Sequence, residues 1–323
     1  MKRIQVILLI AAIGVISALA QDADNKSNPK NVTIKTGVLL LAHGGKPTWN
    51  AEVMKVAAVV NQTMPVEVAF GMASKRSIQQ AIDKLVARGS TDVLTVPLFI
   101  SSNSSVITST EFLLGLRHQA PADLAIFAKM DHGHGMGHSG HGSDQSIDPT
   151  TPVNSTVPIR MLPALNSHPL VAEILLSRAK SISREPKKEV VVVVAHGPVS
   201  DDENNLWLSD MRQLVKLMSG ESKFKRIEYL TVRDDAPEPL RSQAAEELRR
   251  VVRRASNEGN NALVVPLLLS YGGIEEGVKK RLEGLTYTMT GQALLPDERL
   301  SRWVLESVEK AAKTSSRMGS IAP

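Results

Sequence analysis

The chain has 323 residues, a formal net charge of +5, no cysteine and only 3% aromatic residues. Without cysteine the protein forms no disulfide bond, and any metal ligand must be a His, Asp, Glu or Met side chain. Nucleic-acid binding needs stacking platforms and clustered positive charge. Aromatic residues are scarce and basic residues are scattered along predicted helices, so we expect no nucleic-acid partner.

The first twenty residues have the layout of a cleavable secretory signal peptide. Lys2 and Arg3 precede the apolar run Ile4–Ala18, and a small-residue Ala-Leu-Ala sequence ends at Ala20. A run of this length falls just short of the roughly 20 residues of a membrane-spanning helix, and an uncleaved anchor is the alternative. We expect cleavage after Ala20 and a periplasmic or secreted protein without a stable membrane anchor.

The first half of the remaining chain alternates short apolar runs with longer stretches of helical periodicity. Strands are predicted at Val38–Ala42, Val66–Phe70, Val93–Ile100, Leu124–Ala128 and Val157–Met161. Helices are predicted at Ala51–Gln62, Ile78–Arg88, Phe112–His118 and Leu170–Ser181. Continuously apolar strands between helices are typical of a parallel sheet that is covered on both faces.

The second half repeats this order. Strands are predicted at Val190–Ala195, Ile227–Val232 and Ala262–Ser270, and helices at Ser209–Met218, Pro239–Ser256, Gly277–Leu282 and Glu298–Lys313. An Ala-His-Gly sequence and a Val-Pro-Leu strand recur in the same order, with a looser Leu-Pro echo after them. These landmarks indicate an internal duplication. We predict an α/β protein with tandem parallel-sheet domains at 35–183 and 189–314.

His43 and His196 are the strongest positional signal in the sequence. Each follows the first strand of its repeat and precedes a glycine, Gly44 or Gly197. Ligands of open parallel sheets bind beyond the carboxyl ends of the strands, and glycine there lets the backbone turn sharply. The alternative is a histidine that only bonds a neighbouring carbonyl. Recurrence in both repeats favours the functional interpretation.

A second candidate for metal chemistry lies in a segment that has no counterpart in the second repeat. Residues 131–154 are rich in Gly, His and Ser, and we expect a mobile insertion. Four histidines occur within ten residues of it: His132, His134, His138 and His141. Such spaced imidazoles bind divalent metals. A solvated linker whose histidines are incidental is the alternative.

Several segments together resemble the class II tetrapyrrole chelatases, in particular sirohydrochlorin cobaltochelatase and sirohydrochlorin ferrochelatase. The resemblance is carried by the strand-His-Gly opening, Val66–Phe70, Ile78–Gly89, the Val-Pro-Leu strand and the segment Leu162–Glu173. It spans nearly the whole chain after the signal peptide. It implies two flavodoxin-like lobes facing a cleft, in which a divalent metal enters a sirohydrochlorin-like macrocycle.

The resemblance also assigns roles to individual residues. His43 matches the family's first histidine ligand, and His196 is its equivalent in the second repeat; both are candidate catalytic and metal-binding residues. Gly44, Gly45 and Gly197 would approach the bound macrocycle. The family places a glutamate and a second histidine where this chain has Met72 and a serine near Ser105 in the first repeat, and Arg233 and Ile274 in the second. Four neighbouring acidic residues of the second repeat could substitute if the loops shift: Asp234, Asp235, Glu275 and Glu276.

These observations leave three functions open. The first is an exported chelatase that inserts Co²⁺, or else Ni²⁺, Fe²⁺ or Zn²⁺, into sirohydrochlorin or a related tetrapyrrole, with the histidine-rich segment as metal donor. The second is a metal or tetrapyrrole carrier without turnover, which the missing Glu and His favour. The third is a structural or interaction protein.

Overall fold

The computed structural model describes residues 35–133 and 148–319, and two parallel sheets organise them. The first sheet has the order β2-β1-β3-β4 and contains β1 (Thr36–Ala42), β2 (Val66–Phe70), β3 (Asp92–Pro97) and β4 (Ile159–Met161). The second has the order β6-β5-β7-β8 and contains β5 (Glu189–Ala195), β6 (Arg226–Thr231), β7 (Asn261–Leu267) and β8 (Thr288–Met289). The identical order confirms the predicted α/β fold of two tandem parallel-sheet lobes.

Helices connect the strands in both repeats. Those of the first repeat are α1 (Pro47–Val60), α2 (Lys75–Ala87), α3 (Ser105–Leu113), α4 (Leu124–Gly133) and α5 (Pro169–Ile182). Those of the second are α6 (Asp201–Gly220), α7 (Leu240–Asn257), α8 (Ile274–Arg281) and α9 (Glu298–Gly319). No helix within the described ranges is long and apolar enough to cross a membrane.

Both faces of each sheet are buried, as the continuously apolar strands predict. Val38 and Leu40 of β1 point into a core that lies between the two sheets and includes α1, α5, α6 and α9. The alternate residues Leu39 and Leu41 point into a second core with α2, α3 and α4. An equivalent outer core covers the other sheet with α7 and α8. Side chains of successive strand residues point to opposite faces, so both faces need apolar residues.

The last helix of each repeat packs on the other repeat. α5 lies against α6 and β7, and α9 lies against α1. The buried Arg178 of α5 fixes this exchange, because its guanidinium donates to the carbonyl oxygens of Ala293 (2.9 Å), Leu294 (3.2 Å) and Pro296 (2.8 Å). Burial lowers the pKa of Arg178, and the carboxylate of Asp297 opposes that effect. The two repeats therefore form one interlocked body.

One predicted strand is a helix. Leu124–Ala128 was expected as a strand from its short apolar run, and it forms the first half of α4. Leu124, Phe127 and Ala128 are buried while Ile126 is exposed. This i, i+3, i+4 spacing is the pattern of a helix with one buried face. β4 is therefore the next strand after β3 among the described residues, and it pairs with β3 at the edge of the first sheet.

Two further predictions need correction near α4. The helix expected at Phe112–His118 begins earlier and ends at Leu113, and Gly115 follows with a φ of 73° that suits the end of a helix. The expected mobile insertion 131–154 is in part ordered. It begins in the last turn of α4, and Asn154 is bonded to Gln79 of α2 through two hydrogen bonds of 2.8 Å.

Several predictions fall outside the described residues. The signal peptide at residues 1–20 is one of them, and His134, His138 and His141 are the others. His132 lies in the last turn of α4.

Candidate functional site

His43 is exposed at the carboxyl end of β1. Its Nδ1 lies 2.7 Å from the carbonyl oxygen of Gly44. A carbonyl only accepts hydrogen bonds, so Nδ1 carries the proton and Nε2 keeps the lone pair. A hydrogen bond from the other ring nitrogen is the usual support of a metal-binding imidazole. His43 therefore has the tautomer of a metal ligand.

The two glycines after His43 let its turn lie against neighbouring side chains. Gly44 has a φ of 80°, and a Cβ atom there would lie 3.3 Å from Cβ of Phe70. A Cβ atom on Gly45 would lie 3.3 Å from Cγ of Trp49. The Gly45 N–H donates to Oδ1 of Asn50 at 2.8 Å. The sharp turn thus rests on the start of α1, with the rings of His43 and Trp49 centred 6.5 Å apart.

His196 occupies the equivalent position in the second repeat, but its surroundings differ. It is only partly exposed, and its Nε2 lies 3.3 Å from Oδ2 of Asp235. A carboxylate at this distance favours a proton on Nε2. Gly197 has a φ of 75°, and a Cβ atom there would lie 2.5 Å from Cβ of Thr231. Among the described residues, Nε2 of His196 has the carboxylate partner that Nε2 of His43 lacks.

Arg233 fastens the loop that follows His196. It is buried, with a φ of 49°, and its guanidinium donates to the carbonyl oxygens of Pro198 (3.2 Å) and Val199 and to Oδ1 of Asp201 (2.6 Å). Its backbone N–H donates to the carbonyl oxygen of His196 at 2.7 Å. This arrangement, called the Arg233 clasp below, ties the loop that follows His196 to the first residue of α6 and to the chain that follows β6.

The strand register places Met72 and Arg233 at equivalent points. Phe70 pairs with Ala42 and Thr231 pairs with Ala195, and each of the two residues lies two positions further on. The other pair of departures, Ser105 and Ile274, are the first residues of α3 and α8. The expected glutamate and second histidine are therefore absent from these points in both repeats.

Nearby carboxylates of the second repeat are committed elsewhere. Asp234 pairs with Arg281, and Glu276 pairs with Lys279 at 2.7 Å. The buried Glu275 accepts the N–H groups of Gly272 (3.0 Å) and Gly273 (2.9 Å). Asp235 differs from these residues, because its carboxylate lies 3.3 Å from Nε2 of His196. Among the described residues, no three His, Asp or Glu side chains form a group that could hold a metal ion.

The first helix of the second repeat starts one turn earlier than its counterpart. Four apolar residues of α1 have the same spacing as four of α6: Trp49, Val53, Val56 and Val60 correspond to Trp207, Met211, Leu214 and Met218. Trp49 is the third residue of α1 and Trp207 the seventh of α6, so α6 has four additional residues at its start, about one turn. Asn204 in this added turn accepts the hydroxyl of Thr231 at 2.7 Å. The added turn covers the end of β6.

Comparison with known proteins identifies the family. Sirohydrochlorin cobaltochelatase of Methanothermobacter thermautotrophicus is 33% identical over 100 residues, which cover 30% of this chain and 68% of that protein. The chain belongs to the class II tetrapyrrole chelatase family. The CbiX family model matches residues 37–182, which hold His43, Gly44, Gly45, Met72 and Ser105. The match lies in the first repeat, where the histidine turn is open.

Solved structures of chelatases have the same fold. SirB from Bacillus subtilis with Fe³⁺ is 15% identical with a TM-score of 0.57, covering 88% of this chain and 98% of that chain. The sirohydrochlorin chelatase SirB from Bacillus subtilis subspecies spizizenii in complex with cobalt is 15% identical with a TM-score of 0.54, covering 87% and 96%. The interlocked two-lobe body is therefore the chelatase fold.

The sequence predicts Asp235 as one of four acidic residues that could replace the missing ligands, and the structure places it against Nε2 of His196. The Arg233 clasp has no signal in the sequence, because its contacts join segments that are distant along the chain. The spacing of Trp49 and Trp207 was readable in the sequence, because the same apolar positions follow each tryptophan. It would have revealed the added turn of α6.

Proposed function

We propose that this protein inserts a divalent metal ion into sirohydrochlorin or a closely related tetrapyrrole at the carboxyl edge of the first sheet. The observation that carries the proposal is the exposed position of His43 and the hydrogen bond of its ring. His43 lies in the repeat that the CbiX model matches, it is exposed, and its Nδ1–H···O=C bond leaves Nε2 as a ligand. The metal is a substrate of this reaction and leaves with the macrocycle.

The chemistry needs a ligand that binds the metal and then releases it. Imidazole is a borderline donor suited to Co²⁺, Ni²⁺, Fe²⁺ and Zn²⁺. As the metal passes from His43 to the four pyrrole nitrogens, two N–H protons leave the macrocycle. The freed lone pair on Nε2 accepts one proton near neutral pH, and water accepts the other. His43 thus serves as ligand and then as base.

We propose Co²⁺ as the natural metal, with Ni²⁺, Fe²⁺ and Zn²⁺ as competitors. The support is the named activity of the archaeal relative, a cobaltochelatase, and the cobalt complex of the sirohydrochlorin chelatase SirB. His196 is a weaker candidate ligand than His43, because Asp235 engages its Nε2 and the Arg233 clasp lies beside it. Gly44 and Gly45 would face the macrocycle, and Gly197 would do so in the second repeat.

The histidine-rich segment is proposed as a metal donor to His43. The support is the spacing of His132, His134, His138 and His141, together with the position of the chain that follows the segment. The buried Lys75 donates to the carbonyl oxygen of Asp148 (2.9 Å) and to Oγ1 of Thr151 (2.5 Å). Lys75 begins α2, three residues after Met72. The chain therefore returns at the edge of the sheet that carries His43.

Export is part of the proposal. The signal-peptide layout of residues 1–20 supports a periplasmic or secreted protein that acts after cleavage at Ala20. Cell fractionation with N-terminal sequencing tests it. An exported chain beginning at Gln21 supports the proposal, and a cytoplasmic chain that retains residues 1–20 contradicts it.

A spectral assay tests the function itself. Protein that begins at Gln21 is mixed with sirohydrochlorin and Co²⁺, and the spectrum of the macrocycle is followed over time. The controls are a mixture without protein and the variant His43→Ala. Wild type should accelerate the spectral change, and His43→Ala should abolish most of the acceleration. A wild-type rate equal to the no-protein control would contradict insertion.

A metal or tetrapyrrole carrier is the second candidate. It is favoured by a specific observation: Met72 and Ser105 occupy the points of the first repeat where the family has its glutamate and its second histidine. A carrier would bind Co²⁺ or sirohydrochlorin with a defined stoichiometry in the same assay and leave the rate at background. Calorimetric titration of each ligand separates this result from a protein that binds neither.

A further inference from the structure

The two repeats contact each other through equivalent residues near the histidine turns. Pro97 pairs with Leu41 and Pro266 with Val194, so the loops that follow β3 and β7 start at equivalent points. Asn103 lies six residues after Pro97, and Gly272 lies six residues after Pro266. These two positions are therefore counterparts.

Each counterpart meets the tryptophan of the opposite repeat. Nε1–H of Trp207 in α6 donates to the carbonyl oxygen of Asn103 at 2.7 Å. A Cβ atom on Gly272 would lie 3.3 Å from Cδ1 and 3.9 Å from Nε1 of Trp49 in α1. The indole of Trp49 therefore lies beside Gly272, where an added side chain would meet it. The two contacts are related by the internal duplication.

Trp49 also lies beside the turn that carries His43. Trp49 is buried, with 8% of its surface exposed, between Gly272 on one side and the turn of His43 on the other. A Cβ atom on Gly45 would lie 3.4 Å from Cβ and 3.3 Å from Cγ of Trp49, and Asn50 in the next position of α1 accepts the Gly45 N–H. The indole therefore lies beside the turn that orients the His43 ring.

The contact at Trp207 leads to the adjoining loop. Asn103 follows β3, the neighbour of β1 in the sheet. Asn166, in the loop after β4, accepts the N–H of Ser102 at 2.6 Å and donates to its hydroxyl at 3.0 Å. The Trp207 bond adds an anchor from the second repeat. The Asn103 loop is thus held directly from the second repeat, whereas the His43 turn is linked to the second repeat through Trp49 of its own repeat.

We infer that the second repeat is a brace for the His43 edge, with Gly272 and Trp49 positioning His43 and Trp207 positioning the Asn103 loop. The consequence of the inference for turnover rests on the proposed function; its consequence for the orientation of His43 does not. Positioning groups behind a metal ligand typically change affinity or activity by about 10- to 100-fold when they are altered.

Gly272→Ala is the sharpest probe, because it adds one methyl group against Cδ1 of Trp49. Trp49→Phe replaces the indole with the smaller phenyl ring, which can shift away from that methyl group. The matched control is Gly291→Ala, since a Cβ atom there meets nothing within 4 Å. Neither Gly272 nor Gly291 has the positive φ that would strain an alanine. Urea midpoints of all variants check that they remain folded.

The first readout is the His43 imidazole in nitrogen–proton NMR of the full chain, assigned by its loss in His43→Ala. Gly272→Ala should shift the ring nitrogens of His43, Gly291→Ala should leave them in place, and Trp49→Phe combined with Gly272→Ala should move them back toward wild type. An unchanged His43 signal in Gly272→Ala would overturn the brace, and so would a double variant that recovers nothing.

The second readout is the rate of Co²⁺ insertion into sirohydrochlorin. Gly272→Ala should lower it about tenfold, and the double variant should be faster than Gly272→Ala alone. If the NMR response is as expected while wild type shows no insertion, the proposed function fails and the brace stands. If wild type inserts metal and Gly272→Ala changes neither signal nor rate, the brace fails alone.

Discussion

The His43 edge and the His196 edge start from the same Ala-His-Gly sequence and end in opposite chemical states. In the first repeat the turn is exposed, and Nε2 of His43 has no partner within the part of the chain that the structure describes. In the second, Asp235 engages Nε2, the Arg233 clasp holds the loop, and an added helical turn covers the end of β6. Duplication has kept the backbone path while the side chains around it have changed. A histidine at the end of the first strand of a repeat is therefore not enough to identify a metal site, because the groups around its Nε2 also matter.

The largest expected difference between the two edges is in catalysis. His43→Ala should lower the rate of Co²⁺ insertion by about 1000-fold, because it removes both the metal ligand and the base. His196→Ala should lower it by less than tenfold, because Nε2 of His196 is already engaged. Initial rates of the spectral change measure both. Equal losses of rate in His43→Ala and His196→Ala would show that both edges take part in insertion, and would contradict the difference between them.

The next difference is in the tolerance of the two turns to a side chain. Gly197→Ala should destabilise the protein by about 3 kcal/mol, since its methyl group would overlap Thr231 in addition to the strain of a positive φ. Gly44→Ala should cost about 1.5 kcal/mol, because its contact with Phe70 is looser.

Urea unfolding at neutral pH measures these two costs, and the Gly291→Ala variant serves as the reference. A larger loss in Gly44→Ala than in Gly197→Ala would show that the first turn is the more tightly packed one, contrary to the structure.

Introducing the family's glutamate at position 72 should increase the difference in Co²⁺ affinity between the His43 edge and the His196 edge. Met72 follows Phe70 and Gly71, against which Gly44 lies. Met72→Glu should raise the affinity for Co²⁺ about tenfold, since a carboxylate adds a second ligand beside His43. Met72→Gln is the control, because Gln has the size of Glu without its charge. Both variants are titrated with Co²⁺ in the full chain with His132, His134, His138 and His141 replaced by Ala. Equal affinities of the two variants for Co²⁺ would show that residue 72 does not contact the metal.

The smallest expected effect concerns the added turn of α6. Burial, and then the negative charge of Asp123, raise the pKa of Glu203 above its ordinary value. The ionised form is thus unfavourable in the folded state, so wild type gains stability as the pH falls through this raised pKa toward 4.5. Glu203→Gln should be about 0.5 kcal/mol more stable than wild type at pH 7.

That advantage should disappear near pH 4, where Glu203 of wild type is protonated. Chemical unfolding at pH 7, 5.5 and 4 tests the sign. An advantage of the Gln variant that stays constant across these values would show that the charge of Glu203 is not its cause.

Much of the fold follows from the sequence, because the buried parallel strands are continuously apolar and recur with their flanking glycines. The error at Leu124–Ala128 arose because a five-residue apolar run fits a strand or one face of a helix, and only packing decides between them. Of the site, the sequence places His43 and His196 correctly at the strand ends. The ion pair of Asp235 and the Arg233 clasp depend on loops that meet only in the folded chain.

The central claim is that metal chemistry belongs to the first repeat alone. A crystal of the chain with His132, His134, His138 and His141 replaced by Ala, soaked in Co²⁺ and measured at the cobalt absorption edge, tests it most directly. We expect an anomalous peak about 2.1 Å from Nε2 of His43 and none at His196. A peak at His196 with none at His43 would contradict the account.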